Sequence, residues 1–380
     1  MKRITTVLAL IALAAFSCRG PEPLTPSTDS KVGEGAAGPV AGFFLLNEGN
    51  MGSNKCTLDY YDCATGVYSR NIYPERNPGV VRELGDVGND IGIYGGKLYA
   101  VVNCSNLVEV MDVRTAKHIA QIPIPNCRYI TFAGGNAYVS SYAGPVEFDP
   151  NSRKGYVARI DTLSLVVKDT CTVGYQPEEM AVAGDKLYVA NSGGYRFPDY
   201  DNTVSVIDLK SFREVKKIEV AINLHRMEKD SHGNIWVSSR GDYYDVPSRT
   251  YVIDSSADTV KASLNLLPVS DMAICGDSLY VISSQWNHAT QTTTVQYAIA
   301  DVVSRKVVSR GFITDGTAES IRTPYGIAVN PSTREIIVTD AGDYVTPGTV
   351  YCFSPEGKKK WSATTGDIPA HVAFTEVGLE

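Results

Sequence analysis

The sequence predicts an all-β fold, a seven-bladed β-propeller of four-stranded antiparallel blades. Three observations carry that prediction. A unit of four short strands recurs seven times, the two ends of the chain complement each other, and no long helical periodicity follows the N-terminus. The clearest copy reads EEMAVAGDKLYVANSG and then NTVSVIDLKSFREVKKIEV. It contains an apolar strand, a Gly-Asp turn, a Leu-Tyr-Val strand, a variable loop, a third strand, an Asp-x-x-Ser turn and a fourth strand.

Aligned on the centre of the second strand, the units fall at Phe44, Tyr99, Tyr138, Tyr188, Trp236, Tyr280 and Ile337. The steps between them are 55, 39, 50, 48, 44 and 57 residues, which suits four strands with their loops. An Asp closes the third strand at Asp62, Asp112, Asp161, Asp208, Asp254 and Asp301, and Ser354 takes its place in the seventh unit. Thr or Ser often follows three residues later, at Thr65, Thr115, Ser164, Ser211 and Ser304. A carboxylate at the first position of a tight turn accepts that turn's own N–H groups, so these residues read as turn chemistry. DIPAHVAF at the C-terminus reads as a first strand with no second, and GFFLLNEG as a second strand with no first. The C-terminal strand is therefore expected to join the N-terminal blade and close the ring, which removes exposed sheet edges.

At 380 residues, length alone suggests two domains, but the repeat makes 41–380 one closed unit. Net charge is −7 and no basic run tracks phosphates, which argues against nucleic acid. Residues 1–17 read as a signal peptide: Lys2 and Arg3 precede the apolar core VLALIALAAF. The sequence AFSC at its end resembles a bacterial lipobox and implies lipidation of Cys18, and hence attachment to a membrane through a lipid anchor. Residues 18–40, rich in Pro, Gly, Ser and Thr, read as a flexible tether. Seven further cysteines, no CxxC, and Cys56 and Cys63 seven apart on one expected strand support neither a disulfide framework nor a zinc site.

The two faces of the ring differ. Turns between first and second strands are short (GGK, GGN, GDK, SHGN, GDS) and lack aromatic residues. Loops between second and third strands are longer and carry Tyr142 and Phe148 in blade three, Tyr195, Phe197 and Tyr200 in blade four, Tyr243 and Tyr244 in blade five, Trp286 in blade six and Tyr344 in blade seven. Large rings on exposed loops call for a partner, because water disfavours them. Crossings between blades open on the same face and add Asn89, Asp90, Arg128, Tyr129, Glu178, Glu179, His225, Arg226, Asp271, Arg322, Tyr325 and His371. A broad surface with aromatic planes and polar donors suits a large, flat, partly polar ligand. The expected ring contacts are Tyr142, Tyr195, Phe197, Tyr200, Tyr243, Tyr244, Trp286 and Tyr344. Polar pairing is expected from Asn47, Arg128, Glu179, Arg240 and Asp343.

The repeated LYVANSG…VSVIDL phrase is similar to that of the YncE-like, or YVTN-type, propellers. FFLLNEGNMGSNKCTLDYYD in blade one, CRYITF in blade three and PYGIAVNPSTREIIVTDAGDYVTPGTVYCFSPEGK in blade seven resemble the BtuG-type surface cobalamin-binding lipoproteins of Bacteroidetes. The resemblance runs over the mature chain. It implies a lipid-anchored protein, exposed on the surface of the outer membrane, that is not an enzyme and needs no cofactor of its own. It implies binding of cobalamin (vitamin B12) or another corrinoid and delivery to a TonB-dependent outer-membrane transporter.

Two other readings stay open. The aromatic face also suits a protein- or glycan-binding module. His225, His288 and His371 share that face, as a metal-dependent lyase or hydrolase requires, although no ligand-spacing motif joins them.

Overall fold

The structure, a computed structural model, describes residues 26–80, 83–287 and 292–380, apart from the side chains of 286, 287 and 292. Seven antiparallel sheets form the ring. The second strands are Gly42–Asn47, Lys97–Val102, Asn136–Ser141, Lys186–Asn191, Asn234–Ser239, Ser278–Asn287 and Ile336–Asp340, and each holds its expected anchor residue. Pro369–Thr375 pairs with Gly42–Asn47, setting Ala373 opposite Phe44, so the C-terminal strand closes the ring as the first strand of blade one.

The anchors explain why the blades stack. Seven apolar clusters fill the seams, and each anchor packs in the cluster that its blade shares with the next. Trp236, for instance, lies against Leu279 and Val281 of blade six, and Tyr138 against Leu187 and Val189 of blade four. Burying one such ring contributes on the order of 2–3 kcal/mol. The third-strand Asp residues do make turns. Their Oδ1 atoms accept from the backbone N–H of Thr65 at 2.8 Å, Thr115 at 3.0 Å, Ser164 at 2.7 Å, Ser211 at 2.7 Å, Ser256 at 3.0 Å and Ser304 at 2.6 Å.

Three local expectations change. Within the segment read as tether, Thr28–Lys31 adds a fifth, outermost strand to blade one, with Thr28 opposite Arg70 and Lys31 opposite Val67. All four of its residues are exposed, so the backbone ladder rather than apolar burial holds it. The strand expected to hold both Cys56 and Cys63 is only Thr57–Asp62, with one cysteine just beyond each end. In blade six, the segment read as loop from Ser283 is strand through Asn287, and Asn287 pairs with Thr292 across the hairpin. Cys18 and His288 lie outside the described residues.

Candidate functional site

The innermost strands set the geometry. Opposite the anchors they place Gly92, Thr131, Ala181, Glu228, Ala273, Ala328 and Ala373. Two residues back along each strand stand Asp90, Tyr129, Glu179, Arg226, Asp271, Gly326 and His371. Three back stand Asn89, Arg128, Glu178, His225, Ser270, Tyr325 and Ala370. In every blade but the sixth the ladder slips at this pair, a bulge that breaks strict alternation and re-aims side chains. Two layers result. The set three back, apart from Ala370, faces cavities on the loop side, and most of the set two back faces, with Ala370, an axial channel of about 230 Å³.

The channel layer is also structural. Asp90 Oδ2 accepts from Ile130 N–H at 2.8 Å, Glu179 Oε2 from Met227 N–H at 2.7 Å, and Asp271 Oδ2 from Ile327 N–H at 2.9 Å. Carboxylates of blades two, four and six thus staple each to its successor. Arg226 lies between two of them, donating to Glu179 Oε1 at 2.5 Å and standing 3.2 Å from Asp271 Oδ1. Burial pushes the Asp90 and Glu179 carboxyls above the ordinary range, against the pull of His371 and Arg226 respectively. Burial works against protonation of His371. Glu48 at 3.6 Å and Asp90 at 3.8 Å outweigh it and raise the imidazole above its ordinary value.

On the loop side two cavities adjoin. One of about 420 Å³ sits over the mouth of the channel, lined by residues including Glu48, Arg128, Tyr129, His225, Arg240, Tyr243, Tyr325 and Tyr344. The other, of about 560 Å³, lies towards blades three to five, lined by Tyr142, Phe148, Tyr195, Phe197, Tyr200, Tyr243 and Tyr244 with Arg128, Glu178 and Arg240. Arg128, Arg240 and Tyr243 line both. The rings form edge-to-face pairs: Tyr195 with Tyr142 at 6.2 Å and with Phe148 at 5.6 Å, Phe197 with Tyr200 at 6.1 Å, and Tyr325 with Tyr344 at 5.9 Å.

Two loops present their tyrosines by one device. Gly241-Asp242-Tyr243 and Gly342-Asp343-Tyr344 both put the Gly and the Tyr at positive φ: 66° and 68° in the first, 56° and 66° in the second. The intervening Asp pins each turn. Asp242 Oδ1 accepts from Tyr244 and Val246 N–H at 2.9 and 2.8 Å, and Asp343 Oδ1 from Val345 and Thr346 N–H at 3.0 and 2.9 Å.

Seven of the eight expected ring contacts therefore line these cavities, together with Arg128 and Arg240. The eighth, Trp286, continues the second strand of blade six, and its side chain is outside the description. Three expected polar contacts point elsewhere. Asn47 is buried and donates to Thr57 Oγ1 at 3.0 Å, Glu179 staples blades four and five, and Asp343 pins its own turn. Of the three loop-face histidines considered for a metal, His225 lies in the cavity floor and His371 in the channel. Among the described residues no group of three or more His, Cys, Asp or Glu is placed to hold a metal ion.

Glu178, His225, Tyr325 and Glu48 were not among the expected contacts, yet they build the floor. Tyr142 donates its hydroxyl to Glu178 Oε1 at 2.5 Å, Arg240 Nη2 donates to His225 Nε2 at 2.8 Å, and Tyr325 donates to Glu48 Oε2 at 2.9 Å. Burial, then the guanidinium of Arg240, holds His225 well below the usual imidazole value. The signal for Glu178, His225 and Tyr325 is the shared position three back from the anchor's partner, whereas Glu48 directly follows the second strand of blade one.

A family model described as a domain of unknown function (DUF5074) matches residues 41–373. No curated protein matches the chain. Among solved structures, a quinonprotein alcohol dehydrogenase-like protein from Bacteroides thetaiotaomicron superposes with TM-score 0.57 at 16% identity, over 89% of this chain and 79% of that one. Hydrazine synthase of Kuenenia stuttgartiensis superposes with TM-score 0.55 at 16% identity, over 70% of this chain and 76% of that one. At such identity the likeness is one of fold.

Proposed function

We propose a function for a chain that belongs to the DUF5074 family, a domain of unknown function: it binds cobalamin or a related corrinoid on its loop face and delivers it to a TonB-dependent outer-membrane transporter. In this reading the protein is a capture module and not an enzyme. A lipid on Cys18 anchors it to the outer membrane, facing outward.

One observation carries the reading. Two adjoining cavities of about 420 and 560 Å³ share Arg128, Arg240 and Tyr243 and are rimmed by rings from blades three, four, five and seven. A corrin is a wide macrocycle with amide arms around its edge. Tyrosine planes offer apolar contact with few rotamers to freeze, and the guanidinium and carboxylate groups of the floor can pair with polar arms. The loops project from a closed ring with seven packed seams, so little ordering is needed on binding.

Isothermal titration of the purified mature chain with cyanocobalamin tests the reading, with the corrin absorption bands followed in parallel. Saturable binding at one site with a band shift is expected. The absence of heat and of spectral change at micromolar ligand would rule it out.

A further inference from the structure

A guanidinium offers five N–H donors in a rigid fork. The Arg128 side chain is only 15% exposed, and its Nη2 stands 3.5 Å from Glu178 Oε2. Its Nε is buried without a hydrogen-bond partner. Its guanidinium carbon lies 4.7 Å from the centre of the Tyr142 ring. A carboxylate and an aromatic face thus hold the group in place while leaving its donors largely unused.

Arg240 approaches the same carboxylate from blade five, its Nη1 3.8 Å from Glu178 Oε1. Its Nη2 donates to His225 Nε2 at 2.8 Å, so the imidazole proton sits on Nδ1, which is buried and has no partner. Two permanent positive charges therefore flank one negative charge where the two cavities meet. His225 adds no charge. Glu48, the carboxylate that lines the mouth cavity, is engaged by Tyr325 and His371. Partly desolvated guanidinium groups with spare donors and a surplus positive charge favour a charged acceptor.

We infer that Arg128 and Arg240 form a cradle for a single oxyanion of the ligand, a phosphate ester or a carboxylate, at the junction of the two cavities. The inference deepens the corrinoid reading: the phosphodiester that links the corrin to its nucleotide base is the anion that cobalamin offers. The corrinoid arm of the test rests on that reading, and the free-anion arm does not.

The mature chain and its Arg240→Gln and Arg240→Lys variants, with folding checked by thermal melting, are titrated with inorganic phosphate and separately with acetate. They are then titrated with cyanocobalamin and with cobinamide, which lacks the phosphodiester. Phosphate is expected to bind the unaltered chain with a Kd of about 1 mM, and about tenfold more weakly after Arg240→Gln, with partial recovery in Arg240→Lys. Stronger binding of acetate than of phosphate assigns the cradle to a carboxylate. Cyanocobalamin affinity is expected to fall about tenfold in Arg240→Gln while cobinamide affinity falls less than about twofold. The cradle is overturned if neither anion binds, or if both bind the chain and the Gln variant equally. The same holds if Arg240→Gln weakens both corrinoids alike. Equal corrinoid binding without an anion response leaves the corrinoid reading standing. An Arg240-dependent anion response with neither corrinoid bound leaves only the cradle.

Discussion

The hydroxyl of Tyr142 donates to Glu178 Oε1 at 2.5 Å across the seam between blades three and four. Tyr142 is 3% exposed, so its ring is the cavity's floor and the stacking surface for Arg128 rather than an open platform. Glu178 is the ion partner of both cavity arginines.

Tyr142→Phe keeps the ring and removes the donor from a buried carboxylate. Loss of such a partner costs about 1–3 kcal/mol. The expected result is a lower denaturation midpoint with the slope unchanged, and the measurement is urea unfolding monitored by fluorescence.

Phe197 is 51% exposed and Tyr244 is 76% exposed. Truncating rings that the fold does not bury leaves stability within about 0.5 kcal/mol. Each Phe197→Ala and Tyr244→Ala change is expected to weaken cyanocobalamin binding about tenfold, as truncated aromatic contacts do. Paired melting and titration curves separate the two effects.

Asp343 acts on the site through Tyr344, whose turn it pins. Asp343→Ala frees that turn, so ligand affinity is expected to fall as far as in Tyr344→Ala. Asp343→Asn retains an acceptor for the same N–H groups and is expected to keep near-normal affinity.

Glu228 is the one carboxylate in a layer otherwise made of Gly92, Thr131, Ala181, Ala273, Ala328 and Ala373. Burial, then the charges of Glu179 and Asp271, raises its pKa to about 8. The folded state holds this proton more tightly than the unfolded chain, so Glu228 costs nothing at pH 4. Its penalty grows as pH rises from the unfolded value of 4.5 through about 8. Glu228→Gln is therefore expected to match the parent at pH 4 and to be more stable at pH 9 by about 1–3 kcal/mol. Denaturation midpoints measured across that range give the comparison.

The ring, its closure and its turns were legible because each rests on local chemistry repeated seven times. The anchors Phe44 to Ile337 each fill one seam, and Asp62 to Asp301 each cap one turn. The aromatic loops were legible because exposed rings are unusual. The polar floor was harder to read. Glu179 was expected where Glu178 stands, because the register shift between Pro177 and Met180 breaks the two-residue alternation that sequence reading relies on. Asp343 resembles a free carboxylate in sequence, and only the backbone at Tyr344 shows that its lone pairs are taken. Asn47 sits at the end of a strand whose six residues are all buried, so its amide turns to Thr57.

Hydrogen–deuterium exchange of the mature chain with and without cyanocobalamin decides whether the loop face takes the ligand. Protection is expected in the loops at 142–155, 192–202, 240–248 and 341–346, with none added at the opposite turns 95–97, 134–136, 184–186 and 276–278. Protection concentrated at those turns, or none anywhere under saturating ligand, would contradict the account.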